Sequence, residues 1–171
     1  MNFHFMKRLS LLLCVLVALF GGCKGKPKVI SEQDRLKADN FVSEAQFSMQ
    51  IHEYSRAEDL FQKAISVRED YPEYWVALGM ARRRQDNKDG ARSAYKKAIG
   101  LIEDRYDREK NEQDLGQKAW VLALLGRTDE AIAFLNKSLK AHPDSAYLQK
   151  MASPQGLPQT FQTQDFKELA L

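Results

Sequence analysis

The sequence predicts an all-α fold, a superhelix of about three helix-turn-helix repeats closed by a capping helix. Two observations predict it. A pattern of a small, an aromatic and a second small residue spans Ala57–Ala64 and recurs 34 residues later at Ala91–Ala98. A third copy, with leucine in the aromatic position, spans Ala131–Ser138. A constant period of this length is typical of stacked helix pairs, in which small residues let helices approach and large residues fill the space between them.

The first two repeats are predicted at residues 38–71 and 72–105. In repeat one the second helix follows the pattern closely, while the first helix is degenerate, with Phe41 in the position of a tryptophan. Repeat two begins at Pro72, which is suited to the first turn of a helix. Within it Arg82 is expected to point toward the neighbouring helix.

The third repeat is predicted at residues 112–145, with its turn at Gly126–Ala131. The six extra residues before it fall within Glu103–Asp114, where oppositely charged side chains are spaced four apart. Such pairs support helix, so the preceding helix is expected to extend into this stretch. A capping helix is predicted at residues 146–152, because an exposed terminal repeat needs a cover. The repeat domain then spans residues 33–152.

The motif Trp75-x2-Leu78-Gly79, followed by Ala91-x3-Tyr95-x2-Ala98 and by Pro143 after the third repeat, resembles the tetratricopeptide repeat (TPR). The resemblance implies a module that binds protein partners on the concave face formed by the first helix of each repeat. By repeat position, ten residues line this face: Val42, Gln46, Met49, Val76, Met80, Arg83, Arg84, Trp120, Ala123 and Leu124.

The predicted face combines adaptable apolar side chains with an aromatic residue and two arginines. Arg83 and Arg84 are suited to binding carboxylates. Two interpretations of Trp120 stay open: it anchors a partner, or the capping helix or the tail covers it. The face lacks the lysine and asparagine set with which chaperone-binding TPR domains hold a terminal carboxylate, so that activity is not implied.

The first residues have the features of a secretory signal. Lys7 and Arg8 precede the unbroken apolar run Leu11–Phe20, and two glycines lead to Cys23. This order predicts a signal peptide at residues 1–22. It resembles the lipobox of bacterial lipoproteins, which implies cleavage before Cys23, lipidation of that cysteine, for which palmitate is a label, and a tether at residues 23–32.

The same resemblance implies a location. Lys24, where an aspartate would favour retention, resembles lipoproteins sorted to the outer membrane and facing the periplasm, with the inner membrane or cell surface as alternatives. Because residues 1–22 carry Lys7 and Arg8 and no acidic residue, their removal lowers the net charge from +3 to +1. The remaining chain has no basic excess of the kind that nucleic-acid binding requires.

No catalytic chemistry is predicted. His52 and His142 lie in different repeats and lack the spacing of metal ligands. No glycine-rich phosphate loop or nucleophile elbow is present. The sequence therefore predicts a protein that is not an enzyme, with no metal, no cofactor and no small-molecule substrate.

The tail at residues 153–171 is predicted to be disordered. Its first part, residues 153–164, contains two prolines and four glutamines. Phe166, Leu169 and Ala170 would share one face of a short helix, which leaves open docking into this chain's own groove or onto a partner.

The function predicted from these features is a membrane-anchored adaptor in an envelope assembly. Small TPR lipoproteins of this kind resemble those that serve pilus biogenesis, secretion or outer-membrane assembly. The alternative is an accessory factor that regulates a cell-wall hydrolase or synthase.

Overall fold

Helices α1 and α2 form the first repeat in a computed structural model that describes residues 30–171. α1 spans Glu32–Gln50, beginning ahead of the predicted repeat boundary at residue 38, and α2 spans Tyr54–Val67. Ser31 caps α1, because its hydroxyl accepts a hydrogen bond from the Asp34 amide at 3.1 Å. Small side chains let these helices approach closely. Four fully buried alanines belong to the core that they share: Ala38, Ala45, Ala57 and Ala64.

The second repeat consists of α3, at Pro72–Arg84, and α4, at Lys88–Glu109. Pro72 lies in the first turn of α3, as predicted. The side chain of Asn87 caps α4 by accepting a hydrogen bond from the Gly90 amide at 2.9 Å. Caps of this kind define where the second helix of the pair starts.

The extra residues before the third repeat lengthen α4, and the prediction of a helical extension is confirmed. α4 has 22 residues and continues to Glu109. It ends at Lys110, which adopts the left-handed conformation with φ of 54°. The longer helix preserves the stacking of the repeats instead of inserting a loop between them.

The third repeat consists of α5, at Glu112–Leu124, and α6, at Thr128–Ala141. The turn between them contains Gly126, whose φ of +77° favours glycine. α7 follows at Ala146–Ala152, the same bounds as the predicted capping helix, and packs against both α6 and α5.

Each of these helices packs against the next one along the chain. The described residues 30–171 contain helices, turns and bends and no strand, so the prediction of an all-α superhelix is confirmed. One buried cluster lies among α1 to α4 and a second among α3 to α6. Between residues 30 and 171, no helix combines the length and hydropathy needed to span a bilayer.

The structure differs from the prediction of a disordered tail. α8 spans Leu157–Thr160 and α9 spans Gln164–Leu169. We call residues 157–171 the C-terminal segment. The side chains of Phe161 and Phe166 are each only 3% exposed. Burial of two phenylalanines offsets the ordering entropy that the proline and glutamine content of this region led us to consider decisive.

The signal peptide predicted at residues 1–22, Cys23 and most of the tether lie outside the described residues.

The packing of α3 on α4 gives a matched test of the fold. A Cβ atom at Gly79 would overlap the ring of Tyr95, whereas a Cβ atom at Gly100 would meet no atom within 4 Å. We expect Gly79→Ala to lower the free energy of unfolding by about 1–3 kcal/mol through overpacking. Gly100→Ala should raise it by about 0.5–1 kcal/mol, because alanine loses less backbone entropy on folding. Urea unfolding of both variants measures the difference, and equal effects would contradict this packing of α3 against α4.

Candidate protein-binding groove

The predicted face separates into two parts in the structure. Seven of its residues, on α3 and α5, lie together around the cluster of the second and third repeats. We call the surface that they form the concave groove: Val76, Met80, Arg83, Arg84, Trp120, Ala123 and Leu124. The side chains of Ala123 and Leu124 are fully buried, while Trp120 is half-buried. The groove therefore has an apolar floor of small and branched residues and an aromatic wall.

The three predicted residues on α1 lie apart from this groove. Val42 and Met49 are half-buried and pack against the cluster that α1 shares with α2 and α3. Gln46 is exposed. In repeat register Gln46 is central on the concave side of α1, so it marks the part of the face that remains accessible.

The C-terminal segment lies in the concave groove and covers its aromatic wall. The ring of Phe166 meets the ring of Trp120 edge to face, with centroids 4.9 Å apart and planes at 71°. The ring of Phe161 lies 6.2 Å from Trp120 and 5.0 Å from Phe166. Aromatic pairs at such distances contribute about 0.5–1.5 kcal/mol beyond their buried area. Of the two interpretations of Trp120, the structure therefore supports the covered one.

Main-chain groups of three consecutive residues of the segment are bound by the repeats. The Tyr95 hydroxyl donates to the carbonyl of Leu169 at 3.0 Å, and Arg83 Nε donates to the carbonyl of Ala170 at 2.7 Å. The amide of Leu171 donates to the carbonyl of Leu124 at 2.9 Å. Ala170 has an extended backbone, with φ of −78° and ψ of 157°. The groove thus binds an extended chain through its backbone, as peptide-binding domains do.

Charge complementarity holds the segment at its last helix. Arg84 forms a salt bridge and a hydrogen bond with Glu168, and their side chains are 30% and 43% exposed. Ion pairs with this degree of exposure typically contribute about 0.2–1 kcal/mol. The pair therefore selects an acidic residue at this position and adds little to affinity.

Tyr95 is suited to its role as a hydrogen-bond donor. Burial raises the pKa of its hydroxyl above the ordinary value, and the nearby charge of Arg83 opposes this only in part. The hydroxyl therefore remains protonated at neutral pH. Gly126 provides room at the end of the segment, since a Cβ atom there would lie 2.7 Å from the carbonyl oxygen of Leu171.

Three adjacent arginines at the end of α3 have different tasks. Arg83 and Arg84 bind the C-terminal segment, whereas Arg82 points to the neighbouring helix, as predicted. Arg82 Nε lies 2.7 Å from Glu58 Oε1 of α2, and its Nη1 donates to the carbonyl of Gly90 at 3.3 Å. Arg82 therefore joins the first two repeats and takes no part in the groove.

A polar cavity of about 510 Å³ adjoins the groove at Trp120. Arg105 extends into it and binds Glu73 at 3.0 Å and Asp114 Oδ1 at 2.7 Å. Gln117 accepts a further hydrogen bond from Arg105 at 2.5 Å. These contacts connect α3, α4 and α5, so the cluster stabilises the stacking of the second and third repeats. No three His, Cys, Asp or Glu side chains within residues 30–171 are grouped in a way that would hold a metal ion.

Sequence reasoning missed the residues that complete the groove. Tyr95 was identified only as a core aromatic of the repeat, because the pattern gives no sign that its hydroxyl reaches the opposite face. Phe161 and Glu168 were assigned to a disordered tail. The signal available for the segment was the shared helical face of Phe166, Leu169 and Ala170, which left docking into this groove as one open alternative.

Stacked helix-turn-helix repeats with a groove that holds an extended segment define a protein-interaction scaffold. Two family models, both described as tetratricopeptide repeat, match residues 49–107 and residues 117–145. The chain belongs to the tetratricopeptide repeat family. Comparison with curated proteins gave no match.

The Arg82–Glu58 pair predicts a pH-dependent contribution to stability. Burial by itself raises the pKa of Glu58, but hydrogen bonds from Arg82 and Gln85 outweigh it and hold the pKa below the ordinary 4.5. A lowered folded-state pKa means that the stabilisation is present above the unfolded-state pKa and is lost as the pH falls through the folded-state value. We expect Glu58→Gln to cost about 1–2 kcal/mol at pH 7, and this cost to disappear as the pH falls below about 4.5.

The matched control is Glu53→Gln, which removes an exposed pair with Arg56. Its cost should stay below about 0.5 kcal/mol at every pH. Denaturant unfolding of both variants between pH 3 and pH 7 gives these values, and a pH-independent cost of Glu58→Gln would contradict the assignment.

Proposed function

We propose that this protein is a lipid-anchored, non-catalytic scaffold that holds a component of a cell-envelope assembly at the periplasmic side of the outer membrane. Its membership of the tetratricopeptide repeat family already makes it a protein-interaction scaffold. The observation that carries the proposal is that Arg83, Tyr95 and Leu124 bind the backbone of an extended segment. A groove that already binds one extended segment has the chemistry needed to bind another.

The anchor is supported by the sequence before the repeats. Cys23 follows an apolar run and two glycines, the arrangement that lipidation requires. α1 begins at Glu32, nine residues after Cys23. A chain of that length extends at most about 30 Å. Confinement this close to a membrane raises the effective concentration of the groove relative to envelope partners, which strengthens binding without new contacts.

A crosslinking experiment in the native envelope tests the proposal. A photo-crosslinking amino acid at Gln46 places the probe on the open part of the concave side, and the same probe at Lys63, an exposed residue of α2, is the matched control. We expect the probe at Gln46 to capture a component of a pilus, secretion or outer-membrane assembly system in the membrane fraction. Palmitate should label the wild type and not Cys23→Ala, and this variant should lose the capture.

Two outcomes would contradict the proposal. Absence of palmitate on the wild type would overturn the anchor. Capture of a cell-wall hydrolase or synthase at Gln46 would overturn the scaffold and favour the accessory-regulator alternative.

A further inference from the structure

We propose that the C-terminal segment is an internal ligand, which the concave groove exchanges for a partner segment of the same chemistry. The inference rests on the proposed function in one respect, namely that a protein partner binds this groove. It adds the regulation of the site and the features by which the partner is recognised.

The contacts of the segment define those features. Two aromatic side chains, Phe161 and Phe166, stand five residues apart and pack on Trp120. An acidic residue, Glu168, follows two residues later and meets Arg84. The next residues are apolar and extended, and they contact the repeats through their backbone. A partner segment therefore needs two aromatic residues, an acidic residue and a short extended apolar stretch in this order.

The contacts also divide into general and selective ones. Hydrogen bonds from Tyr95 and Arg83 reach carbonyl oxygens, which every residue possesses. The selective contacts are the aromatic wall at Trp120 and the charge of Arg84. A foreign segment can replace the internal one without any change in the groove, because only these two side-chain features must match.

The internal segment is built so that it can leave. α8 has four residues and α9 has six, far below the length at which a helix is stable by itself. The six repeat helices pack against one another along the chain independently of the segment. Opening the segment is therefore a local event and leaves the repeats folded. It exposes Trp120, Val76 and the buried floor of the groove, and this apolar surface favours prompt coverage by a partner.

Closure by the segment lowers the apparent affinity for a partner in proportion to the closed fraction. The groove is then selective, because a partner must compete with a ligand held at a high effective concentration on the same chain. Weak or unrelated apolar segments do not displace it.

Binding of a synthetic peptide in trans tests the inference. The probe is a fluorescein-labelled peptide with the sequence of residues 157–171, added to the purified full-length chain. Phe166→Ala in the protein weakens the internal ligand, so this variant should bind the peptide about tenfold or more tightly than the wild type does. Lys167→Ala, which changes an exposed neighbour, should bind it as the wild type does. A peptide that itself carries Phe166→Ala should bind to neither variant.

A charge exchange provides the second measurement and does not alter the core. The protein variant Arg84→Glu should bind a peptide carrying Glu168→Arg more tightly than the native peptide, and the wild type should show the reverse preference. Circular dichroism melts confirm that each protein variant is folded. If Phe166→Ala does not fold, the full-length variant Glu168→Arg takes its place as the weakened internal ligand.

Two outcomes overturn the inference. Equal binding of the peptide to the wild type and to the folded weakened variant means that the segment is a permanent part of the fold. A stable wild-type dimer by analytical ultracentrifugation, lost in Phe166→Ala, means that the groove receives the segment of a second copy. Neither depends on the membrane anchor or on the identity of the envelope partner, so failure of the proposed function is distinguishable from failure of this inference.

Discussion

The contact of Tyr95 with two different parts of the chain is the constraint on which the rest of the structure depends. Its ring lies against Gly79, where a side chain would not fit, and this contact sets how closely α3 and α4 approach. Its hydroxyl reaches through the repeat to the carbonyl of Leu169 in the groove. Because the ring is buried, the hydroxyl stays a donor and its position is fixed by the packing. The shape of the groove is therefore a consequence of helix packing in the second repeat.

The same helix separates stability from binding by one residue. Arg82 faces α2 and α4, where it joins Glu58 and the carbonyl of Gly90. Arg83 and Arg84 face the groove, since successive residues on a helix point in directions about 100° apart. The separation lets charge in the groove change with little effect on the stacking of the repeats. The polar cluster around Arg105 performs the structural task for the second and third repeats.

The fold was predictable because its signal is repeated, whereas the closure of the groove depends on contacts that are distant in sequence. The 34-residue period and the motif around Trp75 and Gly79 are sufficient to place the helix pairs. The composition of residues 153–164 favours disorder when considered by itself, yet Phe161 and Phe166 become ordered on Trp120, about 40 residues earlier in the chain. A pattern within one segment cannot include a surface supplied by another.

The contact between Trp120 and Phe166 in solution tests the central claim, that the chain closes its own groove, most directly. Nuclear Overhauser spectra of the isotope-labelled full-length protein report on ring protons this close together. The structure predicts cross-peaks between the Trp120 indole and the Phe166 ring, together with slow exchange of the Leu171 amide proton that is bound to Leu124. Random-coil chemical shifts throughout residues 157–171, with no cross-peak to Trp120, would contradict it.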